Sequence, residues 1–201
     1  MTTQPINVVG KVNSGAATKR VCKALADEYG AAIKYGPTSG TVKMLAAALD
    51  AIGVADKDAF LAGCSITVGD TFYLPFRVGA AGKYPYPAQV AIVAHECEHM
   101  RQGNDKLENW FDWIMFWRRY FTSKAHRAAY EASALAAELE VYWRLVGRML
   151  DVKGLAKGLG WYKVGKADIA VTAKHLAIVR DTLLKGGEVS EQMKVIARVL
   201  S

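Results

Sequence analysis

The string His-Glu-Cys-Glu-His at residues 95–99 constrains the folding of this chain more than any other feature. Around it, Ala88 to Gln102 carries apolar residues at helical spacing, and Gly103-Asn104 closes the segment. At 100° per residue, His95 and His99 stand one helical turn apart and within about 40° of each other, so both imidazoles reach one tetrahedral metal ion. Val90, Val93, Cys97 and Met100 fall on the opposite stripe. The helix therefore needs a core on one side and a polar cleft on the other, with Cys97 a buried apolar residue rather than a ligand. Glu96 lies on the flank of the polar face. A carboxylate there can take a proton from water at the metal without occupying a coordination position, which is the general-base role. With four His and nine Glu in 201 residues, chance places this pattern in about three or four such chains per thousand.

The stretch VAHECEHMRQ resembles the active-site helix of the zincin metallopeptidases. The resemblance covers about residues 65–140. It implies a zincin-like core with a small antiparallel sheet beside the HExxH helix; with a helical C-terminal half read from the residues themselves, the expected fold is α+β and mostly helical. It also implies one Zn²⁺ per chain, and an edge strand at Asp70 to Phe76 along which an extended substrate lies. Gln102 and Asp105 stand where the metzincin pattern has Gly and His, which leaves the gluzincin-like branch, with its third ligand a Glu on a downstream helix. In YEASALAAELE, residues 130–140, Glu131 matches that ligand and Ala134 the small residue. Leu135 stands where an Asp is usual, and that Asp supports a metal-ligating histidine from behind.

Helix periodicity bears on Glu131 separately. Glu131, Leu135, Glu138, Tyr142, Leu145 and Met149 share one stripe, while Glu140, Arg144 and Arg148 share another that suits solvent. Two carboxylates on an inward stripe need a cation or hydrogen-bond partners, unless the start of the helix is exposed on all sides. Glu131 is taken as the third ligand and Glu138 as the alternative ligand or a supporting group. Hydrolytic zinc sites often place a His or Tyr donor near the developing oxyanion, and His126, Tyr130 and Tyr142 are the candidates against ordinary surface or packing roles.

The resemblance implies a zinc-dependent metallopeptidase acting on a peptide or protein substrate. The alternative is a zincin-fold structural or assembly protein, for example a phage virion component, that keeps the metal with little or no turnover. A third reading is a basic nucleic-acid or envelope-binding module with a structural metal. The net charge of +7 allows that attraction, but the basic residues are scattered, and no zinc-finger or RNP-like spacing accompanies them.

Elsewhere the patterns read as one domain of 201 residues. Asn13 and Ser14 cap a helix to about Tyr29; Ala31 to Tyr35 is a strand or a continuation; the GPTSG break precedes a helix from Thr41 to Gly53, with a helical turn at Asp56 to Ala62. SITVGDTFYLPFRVG, rich in β-branched and aromatic residues around Gly69-Asp70, reads as a hairpin or two extended strands. Residues 107–121 form a helix or an aromatic loop. Its segment 110–121 is core, a lid over the cleft, or an anchor for an assembly partner. A long helix from about Ser123 to Leu150 follows, then a glycine-rich stretch and a helical extension over 151–201 with helices near 167–184 and 190–200. Cys22, Cys64 and Cys97 are too few and too scattered for a disulfide framework. No run reaches the roughly 18 apolar residues of a membrane span, and the first residues carry no secretion signal. The expected location is cytoplasmic, or virion-associated for an assembly component.

Overall fold

The computed structural model describes residues 8–51, 53, 57–103 and 110–201. The expected helix start at Asp56, the stop at Asn104 and residues 107–109 lie outside them. Ser14 caps α1 (Gly15–Glu28), its Oγ accepting from the Ala17 N–H at 3.3 Å. Gly30, at φ +65°, turns the chain into β1 (Ala32–Tyr35), which settles that segment as a strand. A 3-10 turn at Gly36–Thr38 leads into α2 (Gly40–Ala51) and α3 (Lys57–Gly63). The hairpin β2 (Ile66–Val68) and β3 (Thr71–Leu74) follows, with Gly69 at φ +58° in its turn. The remainder is helical: α4 (Tyr86–Gly103), α5 (Trp110–Thr122), α6 (Lys124–Val146), α7 (Val152–Gly158) with a 3-10 extension at Leu159–Tyr162, α8 (Lys166–Leu184) and α9 (Gln192–Leu200). The aromatic segment is thus a helix, and the glycine-rich stretch after α6 is largely helical too. None of the described helices is long and apolar enough to cross a membrane.

The sheet is mixed, in the order β1-β3-β2, and not wholly antiparallel. β2 pairs with β3 antiparallel, as a hairpin must, while β1 joins β3 in parallel with Ala32 opposite Thr71 and Tyr35 opposite Leu74. A parallel pair requires a crossover, and α2 and α3 supply it. Asp70 to Phe76, expected as the edge, therefore contains the central strand. Every side chain of β3 is buried, which only a strand covered on both faces can achieve. The edge beside the HExxH helix is β2.

α4 runs through the middle of the molecule. Val90, Val93, Cys97 and Met100 pack with Cys22 and Leu25 of α1, Phe72 of β3, and Met193 and Ile196 of α9 in the main core. A second core joins α6, α7 and α8 through Leu135, Leu139, Leu159, Leu176 and Leu183. A third sits under α2 and α3, around Val42, Ala46, Leu49, Phe60 and Tyr73. Residues 151–201, read as an extension, supply walls to the first two. For the same reason the stripe assigned to solvent on α6 is mostly buried. Glu140 is 0% exposed and Arg144 6%, and only Arg148 faces out. Glu140 Oε2 accepts from the Val189 N–H, the Ser190 N–H and the Ser190 hydroxyl, and Arg144 donates to the Gly187 carbonyl, so the pair binds the α8–α9 loop.

Candidate metal centre

α4 and α6 lie side by side, and the polar face of α4 is turned onto α6 rather than toward solvent. His95 and His99 project from successive turns of α4, and Glu131 meets them from α6. All three are buried, at 8%, 8% and 2% exposure. His95 Nε2 stands 3.5 Å from Glu131 Oε2, and His99 Nε2 stands 3.5 Å from Glu131 Oε1. One ligand atom from each of the three residues lies within 4.8 Å of the others. Separations of 3.5 Å are too long for good hydrogen bonds. Each is near the distance of about 3.4 Å between two donors on one tetrahedral ion with bonds near 2.1 Å, although the two run to different oxygens of Glu131. This group could hold a metal ion.

The Nδ1 atoms are engaged elsewhere. His95 Nδ1 lies 3.1 Å from Glu138 Oε2, and His99 Nδ1 lies 2.9 Å from Gln102 Oε1. Gln102 is itself oriented, because its Nε2 donates to the Tyr130 carbonyl at 3.0 Å. An acceptor at each Nδ1 holds a proton on that nitrogen and turns Nε2 toward the cluster. Glu138, two turns beyond Glu131 on the same stripe, thus meets His95 at Nδ1, on the far side of the ring from the cluster.

Tyr120 of α5 donates its hydroxyl to Glu131 Oε1 at 2.6 Å. Thr67 of β2 donates to Glu96 Oε2, also at 2.6 Å, with Glu96 1% exposed and Thr67 2%. Burial alone would raise the Glu131 carboxyl, but His99, His95 and the Tyr120 hydroxyl outweigh it and hold it at about 2. Burial alone would lower His95, and the Glu131 and Glu138 carboxylates reverse that, keeping it well above the ordinary imidazole value. Without a metal, the protein balances these buried charges within the cluster. Cys64 lies near, 3.5 Å from the Tyr162 hydroxyl. Burial pushes its thiol up to about 12, so it stays protonated.

Two spaces meet at the cluster. An inner cavity of about 40 Å³, large enough for water, is lined by Thr67, Glu96, His99, Tyr120 and Phe116. An outer cleft of about 590 Å³ is lined by Glu138, Leu135 and the α7 segment. His95 and Glu131 border both. The aromatic helix α5 closes the inner side, with the Phe116 ring 6.1 Å from that of His99 and Trp117 stacked on Phe121 at 5.0 Å. Its described rings pack inward as core and as a wall over the site, and Ile114 is its one strongly exposed apolar residue among those described.

The three oxyanion candidates are not brought to the cluster by their side chains. His126 is exposed on the first turn of α6, its Nδ1 2.9 Å from the Ser123 hydroxyl. Tyr142 packs against the main core, and the Tyr130 ring lies 4.8 Å from Phe116. The polar groups that do reach the site, besides those expected, are Thr67, Gln102, Tyr120 and Tyr162. Gln102 was open to a spacing argument, three residues after His99 on one helix face. The others come from distant segments and carry no local signal. Comparison of the chain with protein-family models, with curated proteins and with solved structures found no match to any of them.

Proposed function

We propose that the protein is a zinc-dependent peptidase with a gluzincin-like site on a zincin-type core. The observation that carries this reading is the convergence of both Nε2 atoms on the two oxygens of one buried carboxylate, with Glu96 next in the helix and outside the cluster. Two imidazoles and a carboxylate suit zinc, and three protein donors leave the fourth position of its usual tetrahedron for water or substrate. His95, His99 and Glu131 would hold the ion. Bound there, zinc supplies a Lewis acid that polarises the scissile carbonyl and acidifies water.

The remaining steps belong to side chains of this chain. Glu96 borders the inner cavity, where it accepts the proton of the attacking water and returns it to the leaving amine as the C–N bond breaks. Thr67 fixes one oxygen of Glu96 and leaves the other to take that proton. Glu138 and Gln102 keep both Nδ1 protons in place, and Tyr120 orients Glu131. Phe116 and Trp117 exclude bulk water from the inner side.

The test is Glu96→Gln. It should keep zinc and the fold while lowering peptide hydrolysis at least about a hundredfold, because an amide cannot accept the proton. Hydrolysis unchanged in Glu96→Gln would overturn the mechanism. Zinc bound at one per chain, with no peptide cleaved by the unaltered protein, would favour the structural or assembly reading instead.

A further inference from the structure

We propose that the groove between α1 and β1 binds single-stranded nucleic acid, seating one nucleotide between two flanks of cations. The proposal does not rest on the peptidase reading, because the groove shares no lining residue with the inner cavity or the outer cleft. Its volume of about 530 Å³ is that of a small-ligand site. Basic residues that look scattered along the sequence are gathered here by the fold. Lys19 and Lys23 stand one turn apart on α1, Lys34 comes from β1 and Arg77 from the segment after β3, and all four are exposed. Asp27 is the single acid among the described lining residues, and Lys23 holds it at 2.6 Å. Four cations against one anion leave the lining a formal charge of +3. Lys19, Lys34 and Arg77 have no ion-pair partner among the described residues.

The rest of the lining decides the class of anion. Ile33, Phe76 and Val78 are apolar, and Arg77 lies over the Tyr35 ring with its guanidinium carbon 4.7 Å from the ring centre. A guanidinium held on a tyrosine is a cationic surface on which a base stacks while its charge meets the adjoining phosphate. A run of aspartates or glutamates would satisfy the cations and leave the apolar surface bare. The bases of a duplex are already stacked on one another and cannot enter. An acyl chain carries its phosphate at one end only, whereas cations line the groove from both the α1 and the β1 side. In a single strand each base has a phosphate before it and another after it, which matches that arrangement.

The walls are fixed by buried contacts. Gln89, 0% exposed, accepts from the Gly79 N–H at 2.8 Å and donates to the carbonyls of Ala80 and Tyr84, so the loop that follows Arg77 and Val78 is held from within. Gly79, at φ +75°, lies so near α1 that a Cβ there would fall 2.5 Å from the Gly15 carbonyl oxygen and 2.7 Å from Lys19 Cγ. Loop and helix are thus set side by side before a ligand arrives, which removes the cost of ordering them on binding.

The experiment measures fluorescence anisotropy of a dye-labelled oligothymidylate of about ten nucleotides with the full chain, a length within the usual site sizes of single-strand binders. Three phosphate contacts give a slope of about −2 in log K against log salt, so binding should weaken roughly twentyfold between about 50 and 200 mM salt. Lys34→Gln and Arg77→Gln should each lower affinity about fivefold at the lower salt and reduce the slope by about 0.7, with circular dichroism unchanged. Lys166→Gln and Lys174→Gln, on α8, which lends no residue to the groove, should leave both quantities unchanged. An equal loss in the α8 variants would overturn the proposal, since attraction would then follow net charge alone. Absence of binding would overturn it too. So would polyglutamate, duplex DNA or phosphatidylglycerol vesicles, at matched charge, displacing the labelled strand as well as unlabelled oligothymidylate does.

Discussion

At the scale of single residues, the two carboxylates on the inward stripe of α6 do different work, and their geometry separates them. Glu131 offers both oxygens to the two Nε2 atoms, whereas Glu138 sits behind His95 at Nδ1. Removing a ligand should cost more than removing its support. Glu131→Gln should lower zinc affinity by well over a hundredfold and Glu138→Gln by about tenfold, since outer partners typically contribute ten- to a hundredfold. A competitive chelator titration checks the order, and the reverse order would make Glu138 the ligand. His95→Ala or His99→Ala should abolish stoichiometric binding in the same assay. Thr67 makes a second residue-scale case. Its hydroxyl is buried against the Glu96 carboxylate, so Thr67→Val keeps the shape but strips a charge-assisted hydrogen bond. It should cost about 1.5–3 kcal/mol in urea unfolding. The helical pair of histidines and Glu96 are legible because five consecutive residues encode them. Thr67 is not, because its partner lies 29 positions away.

At the scale of elements, what sequence periodicity conveyed depended on whether an element's surroundings were local. The stripe Val90, Val93, Cys97, Met100 was readable and is buried throughout. The hairpin was readable from its β-branched residues and its Gly69-Asp70 turn. The parallel addition of β1 was not, because it depends on where the α2–α3 crossover delivers the chain. Amphipathicity failed on α6 for a related reason: polar residues at Glu140 and Arg144 look solvated until another segment folds over them. Their burial was set by residues 187–190, about fifty positions downstream. The Glu140 carboxylate lies 3.7 Å from Arg144 and accepts two backbone N–H groups and the Ser190 hydroxyl. Glu140→Ala would leave Arg144 without its counter-charge and strand those donors. A loss of about 3–5 kcal/mol in chemical denaturation is expected. A loss below about 1 kcal/mol would show that this loop does not help hold α6, α8 and α9 together.

At the scale of the whole molecule, most of α4 is buried, and the ionisable groups along its polar face must be balanced for α6 to pack on that face while the main core closes on the other. That balance can be met by protons or by a metal, and the two respond to pH in opposite directions. In the metal-free protein His95 is held well above its ordinary value of 6.5. Its contribution to stability is therefore full below about pH 6.5 and is lost as pH rises through the raised value. Glu131 is held near 2 instead of 4.5. Its contribution is present above about 4.5 and is lost as pH falls toward 2. Zinc must displace the proton on His95 to bind its Nε2, so each proton released makes the affinity rise about tenfold per pH unit while His95 is protonated in the free protein. A ligand at a hundred times its Kd stabilises a fold by about 2.7 kcal/mol, which for a chain of this length is a rise of roughly 5–10 °C in Tm. Thermal melts with and without excess zinc at pH 6, 7 and 8 should thus show an increment that grows with pH by roughly 3–5 °C per unit, one pH unit being worth about 1.4 kcal/mol. A chelator should remove it at every pH. His95→Ala should remove it as well, while the unaltered protein without zinc loses stability over the same range. An increment that does not change with pH would mean that the bound ion and the His95 proton do not compete, and the tetrahedral assignment of His95, His99 and Glu131 would fall with it.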